Sequence, residues 1–186
     1  MRYIYSSVFL LQLLACQPIF NESIPVLYPD THSYANEQDV YCSHLNWKIR
    51  VDFSHKQLSG SATWWIENPG HASFIHLDTY DLGIEKVWVN NHEVTFHMTP
   101  FNKEMGAGLS VPLSEGDSII QIQYHTGQNA TALQWLSPEQ TAGKKQPYLF
   151  TQCESIFARS LLPCQDLPAR RITYDAEVDV PVDRKS

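Results

Sequence analysis

The residues whose types and spacing could do chemistry are concentrated between Gln134 and Pro168. Gln152, Glu154, Arg159 and Asp166 sit there among Trp135, Tyr148, Leu149, Phe150, Leu161 and Leu162, side chains that ought to be buried. A carboxylate or guanidinium among apolar groups is costly unless it is paired or serves a ligand. If the segment around Cys153 is extended, Gln152 and Glu154 are two residues apart and point to one side. An ionised carboxylate beside an amide is a good receptor for a substrate ammonium, because charge-assisted hydrogen bonds are stronger than neutral ones. The same residues admit a structural reading in which Glu154 pairs with Arg159 and holds the loop. Local chemistry leaves both open.

The other chemical candidates are weaker. His92-Glu93-Val94-Thr95-Phe96-His97 is the nearest approach to a metalloprotease signature, but that motif needs its histidines at i and i+4 on a helix. Here they are five apart in a strand-like segment, where such residues face opposite sides of a sheet. His71 and His76 have the same spacing, so a metal hydrolase is a minor reading and no metal ligand is assigned. Asn21-Glu22-Ser23 and Asn129-Ala130-Thr131 fit the glycosylation sequon, which matters only in a eukaryotic secretory host. Cys42, Cys153 and Cys164 make an odd set once Cys16 is set aside; a Cys153–Cys164 bridge is conceivable, and free buried thiols fit their aliphatic neighbours better.

The elements that must position Gln152 and Glu154 read as strands. Leu45, Trp47, Ile49, Val51 and Phe53 alternate with polar residues, and Ile172, Tyr174, Ala176, Val178 and Val180 do the same near the end. Between them, Leu58–Ile66, Phe74–Asp78, Ile84–Val89, Glu93–Met98, Gly108–Leu113 and Ser118–His125 follow, with turn signals at Asn68-Pro69-Gly70 and Asn90-Asn91. The single helical candidate is Ser155–Leu162, halted by Pro163. These features predict an all-β domain, an antiparallel β-sandwich or saddle with one short helical turn, over residues 43–186. With 43% hydrophobic residues, five Trp and nine Tyr, the chain has material for a core. A net charge of −7 without basic clustering excludes a nucleic-acid footprint.

Residues 1–16 read as an export signal. Arg2 precedes an apolar run too short to span a bilayer, and Leu13-Leu14-Ala15-Cys16 resembles a bacterial lipobox, which would make Cys16 the lipidated residue of an exported, membrane-anchored protein. Residues 17–42, rich in Pro, Asp, Asn and Ser, read as an extended linker.

Several segments resemble one family. Ala132–Thr141 (ALQWLSPEQT), Pro147–Glu154 (PYLFTQCE), Arg159 and Leu162–Asp166 (LPCQD) resemble the N-terminal domain of M1 zinc aminopeptidases, in the leukotriene A4 hydrolase-like branch. Asp30–Asn36 (DTHSYAN), Leu77-Asp78-Thr79, Ile84–Val87 and Thr173–Val178 extend the resemblance to about residues 28–182. The resemblance implies a saddle-like β-domain that packs on a thermolysin-like catalytic domain and lends residues to the substrate cleft. On that basis the position of Glu154 holds the free α-amine of a peptide, and Gln152 lines the cleft beside it. The leukotriene branch usually carries Gln where Glu154 stands, and Glu is more like aminopeptidase N, which favours peptide over epoxide substrates. The family's Gly-x-Met-Glu-Asn and His-Glu-x-x-His motifs do not occur in this sequence, so zinc is expected only in the complete enzyme and this chain is expected to be inactive alone. Further strands of the same domain are expected beyond Ser186, with an uncovered sheet edge. The rival expectation is a free-standing, lipid-anchored β-domain that binds peptides or a partner protein.

Overall fold

The computed structural model describes residues 31–168 and 170–181. Cys16, the signal-like segment and most of the proline-rich leader lie outside them. Eleven strands run along the described chain: β1 (Tyr41–Asp52), β2 (Gln57–Glu67), β3 (Phe74–Thr79), β4 (Leu82–Val89), β5 (His92–Glu93), β6 (His97–Met98), β7 (Ala107–Pro112), β8 (Ile119–Thr126), β9 (Leu133–Leu136), β10 (Tyr148–Thr151) and β11 (Thr173–Asp179). They form a six-stranded sheet in the order β11-β1-β2-β8-β4-β5, a three-stranded sheet β3-β7-β6 and a ribbon β9-β10. The fold is the expected open, nearly all-β architecture, with two short 3₁₀ turns, at Pro138–Gln140 and Ala158–Ser160, in place of the single helical turn.

Alternation explains the core. Leu45, Ile49 and Val51 of β1, Leu58, Ala62 and Trp64 of β2, and Ile120, Ile122 and Tyr124 of β8 are buried on one face of the large sheet. Ile75, Leu77, Leu109 and Val111 close the same cluster from β3 and β7. Two consecutive asparagines, Asn90 (φ 46°) and Asn91 (φ 67°), make the tight turn between β4 and β5, as their tolerance of the left-handed region predicts.

Four features differ from the sequence reading. The edge strand β11 pairs with β1 in parallel, from His44↔Thr173 to Arg50↔Asp179, so the large sheet is mixed. Its outer face carries the ion pairs Lys48–Glu177 and Arg50–Asp179 and a His44–Asp175 contact at 3.4 Å, while Tyr174 and Val178 on the other face are 68% and 50% exposed. Residues 93–98 are not one strand: His92 lies in β5 of the large sheet and His97 in β6, which pairs with β7.

The linker assigned to residues 17–42 ends earlier. Tyr41 and Cys42 are already in β1, and residues 33–40 pack on the domain. Asn36 donates to the Phe74 carbonyl and accepts from the His76 N–H, both at 3.0 Å. Gln165 accepts from the Cys42 N–H at 3.0 Å and donates to the Val40 carbonyl at 2.9 Å, standing in for a neighbouring strand. Polar side chains that read as loop here satisfy backbone groups that would otherwise be buried without partners. The fourth difference concerns the site loop itself.

Candidate functional site

The ribbon β9-β10 brings the site loop to the surface. Register runs from Tyr148↔Leu136 to Thr151↔Leu133, and the Gln152 N–H extends the ladder by donating to the Ala132 carbonyl at 3.0 Å. One face of the ribbon packs inward: Leu133 is buried, and Trp135 meets Phe53 edge-on with ring centroids 5.5 Å apart. The other face is open, leaving Tyr148 and Phe150 53% and 44% exposed. These aromatics were expected to be buried. A two-stranded ribbon has only one face against the core, so alternate residues stay outside.

The strand β10 ends at Thr151. Gln152 is exposed, and Glu154 lies in a turn covering residues 154–157. The shared-face argument for the pair therefore fails beyond β10. The two residues are joined differently: the Glu154 main-chain N–H donates to the Gln152 side-chain oxygen at 3.0 Å. The Glu154 carboxylate is exposed and, among the described residues, has no ion-pair partner. Phe157, 42% exposed, closes the same turn. The result is an exposed carboxylate on a loop bounded along the chain by two exposed phenylalanines, Phe150 and Phe157, residue types suited to a cation carried by an apolar ligand.

The structural alternative, a Glu154–Arg159 pair, is replaced by another pairing. Arg159 is 2% exposed and its Nε donates to Asp166 Oδ2 at 3.0 Å. Its Nη1 donates to the Met105 carbonyl at 3.1 Å and lies 3.8 Å from Asp78 Oδ1. Asp78, fully buried, accepts from Ser33 Oγ at 2.5 Å, the Tyr34 N–H at 2.8 Å and the Asp166 N–H at 3.1 Å. Burial pushes the Asp166 carboxyl above its ordinary range, against the pull of the Arg159 guanidinium. The Met105 carbonyl is presented by the turn at Gly106, whose φ of +80° and proximity to Thr79 O, 2.0 Å from where a Cβ would stand, admit only glycine. Arg159 thus ties the N-terminal arm, β3 and the site loop together.

Asp78 drew attention only through the resemblance. Its one local signal is that Leu77, Asp78 and Thr79 are consecutive and buried, which breaks the in-out alternation of β3.

The thiols are unbridged. Cys42 and Cys164 are buried and Cys153 is partly buried. Burial raises all three above the ordinary thiol range, most strongly for the two buried ones. Among the described residues no group of three or more His, Cys, Asp or Glu is arranged to hold a metal ion.

The fold is an open-sheeted, nearly all-β domain whose short ribbon β9-β10 leads into a loop with an exposed carboxylate at Glu154. Residues 41–186 match the Peptidase M1 N-terminal domain, and the chain belongs to that family. It is 38% identical over 159 residues to leukotriene A-4 hydrolase of Xenopus laevis, covering 82% of this chain and 26% of that protein. Over 134 residues it is 40% identical to leucine aminopeptidase 2 of Yarrowia lipolytica, covering 70% and 21%. Native leukotriene A4 hydrolase from Saccharomyces cerevisiae superposes with a TM-score of 0.77 at 31% identity, covering 86% and 26%. The M1 zinc metallopeptidase of Deinococcus radiodurans shares the fold at a TM-score of 0.63 and 19% identity, covering 80% and 34%. The chain spans about a quarter of the length of the curated relatives it matches.

Proposed function

We propose that this chain contributes recognition of a peptide's free N-terminus to an M1 metallo-aminopeptidase, with the Glu154 carboxylate receiving the α-ammonium and Gln152 shaping the pocket beside it. The observation that carries the reading is the exposed Glu154 carboxylate, unpaired among the described residues, while Arg159, the next charged residue along the chain, is engaged with Asp166 and Asp78. A positioned carboxylate forms charge-assisted hydrogen bonds to an ammonium and loses them to an acetylated amine. Hydrolysis would rest with a zinc-bearing catalytic domain, in the same polypeptide or in trans, because the zinc motif does not occur among residues 1–186.

The test compares binding of a leucyl tripeptide with that of its N-acetyl form, by calorimetry on the purified chain. The free-amine peptide should bind more tightly, and Glu154→Ala should erase the difference. Equal binding of both peptides by the wild type would sink the assignment. Chelator-sensitive release of an aminoacyl chromophore by the 186-residue chain would overturn its inactivity alone.

Leu13-Leu14-Ala15-Cys16 supports a second reading, that of an exported, lipid-anchored peptide- or partner-binding domain. Its test is metabolic labelling with a radioactive fatty acid. Label should be incorporated in the wild type and lost in Cys16→Ser.

A further inference from the structure

Glu154 is exposed in mid-loop, so its place is inherited from the two ends of residues 152–157. Both ends converge on one residue. At the start, the Gln152 N–H donates to the Ala132 carbonyl at 3.0 Å. At the end, Ser160 Oγ donates to the Phe157 carbonyl at 2.8 Å and accepts from the Ala132 N–H at 2.8 Å. Thr131 Oγ1 donates to the same hydroxyl at 3.3 Å. A serine hydroxyl offers one donor and two acceptor sites, and these three partners use them all. Across the loop the Phe157 N–H donates to the Cys153 carbonyl at 2.9 Å.

We propose that Ser160 is the positioning residue of the Glu154 loop, its buried hydroxyl tying the Phe157 end to the main chain of Ala132, whose carbonyl in turn holds the Gln152 end. Ser160 and Ala132 are fully buried, so Ser160 cannot touch a ligand and acts only through the loop. It is fixed from behind: the Arg159 carbonyl accepts from the Tyr80 N–H at 2.8 Å, and the Arg159 N–H donates to Asp166 at 3.2 Å. Alanine at this position would strand the Ala132 N–H without an acceptor in a dry site, whereas threonine keeps the hydroxyl. The functional meaning of the clasp rests on Glu154 being the ammonium receptor. The clasp itself rests on the geometry alone.

Amide hydrogen exchange of the 186-residue chain, followed by NMR, tests it. In the wild type the Ala132, Gln152 and Phe157 amides should be protected and open together. Ser160→Ala should speed their exchange by about tenfold or more, the loss of one buried hydrogen bond. The Ala62 and Ile122 amides of the core should be unchanged, and Ser160→Thr should keep wild-type protection. A companion titration should show Ser160→Ala losing preference for a free-amine over an N-acetylated tripeptide. Equal acceleration of core and loop amides would overturn the proposal, as would no acceleration at all or a Thr variant as loose as Ala. Should Ser160→Ala not fold, the wild type decides: an Ala132 amide exchanging like an unprotected one refutes the clasp. If Glu154→Ala leaves the peptide preference intact, the ammonium reading fails while the exchange data still judge the clasp.

Discussion

Replacing Arg159 with alanine removes four contacts from the interior at once: Nε to Asp166 Oδ2 at 3.0 Å, Nη1 to the Met105 carbonyl at 3.1 Å, Nη2 to the Asp166 carbonyl at 3.4 Å, and the approach to Asp78 at 3.8 Å. Two carboxylates with at most 8% exposure are left without their cation. Removing one partner of such a buried pair costs about 3–5 kcal/mol, because the survivor is a buried uncompensated charge. For a domain of roughly 150 residues that lowers the melting temperature by about 10–20 °C. Arg159→Lys should fall between, keeping the charge and losing the fork that reaches Asp166 and Met105 together.

The sign of the pH dependence follows from Asp166. Burial already raises its folded-state pKa, and losing the guanidinium raises it further. An acid raised in the folded state contributes stability below its unfolded pKa and loses it as pH rises through the folded value. The Arg159→Ala deficit should therefore be largest near neutrality and shrink toward pH 4. Urea unfolding followed by tryptophan fluorescence at both pH values measures it. A loss below about 1 kcal/mol at neutrality, the range of an exposed pair, would refute the reasoning, as would a deficit that grows on acidification.

Two further outcomes follow from particular contacts. Tyr124→Phe removes a hydroxyl that accepts from Trp47 Nε1 at 2.8 Å and donates to the Leu161 carbonyl at 3.0 Å. It should cost about 1–3 kcal/mol in urea unfolding, and a neutral result would show that neither group depends on the phenol. The exposed Asp52 carboxylate accepts from Ser54 Oγ at 2.6 Å and His55 Nδ1 at 2.7 Å, which hold it below the 3.8 of a free aspartate. Its contribution to stability is present above that value and fades as pH falls through the folded one. Carbon-detected NMR titration should place its midpoint below 3.8, and Ser54→Ala should move it upward; an unshifted wild-type midpoint would dispose of the claim.

Much of the scaffold was legible because strand alternation is a local property. Leu45, Ile49 and Val51 announce a half-buried strand whatever lies beside it, and Asn90-Asn91 announces a tight turn from backbone preference alone. Strand direction is not local. β11 alternates as a parallel or an antiparallel neighbour would, so nothing within residues 172–180 distinguishes the two. Its polar ladder with His44, Lys48 and Arg50 exists only once the strands are side by side.

Glu154 and Gln152 stand out by type and by resemblance, and the all-β domain that carries them follows from alternation and turn chemistry. Tertiary structure alone decided who meets whom. It gave Arg159 to Asp166 and Asp78 instead of Glu154, turned the chain after Thr151, and brought Ser160 beneath the Glu154 loop. It also packed residues 33–40, a linker by composition, onto β3. Partners of a polar group are set by burial and by segments scores of residues away, and composition and periodicity carry no record of either.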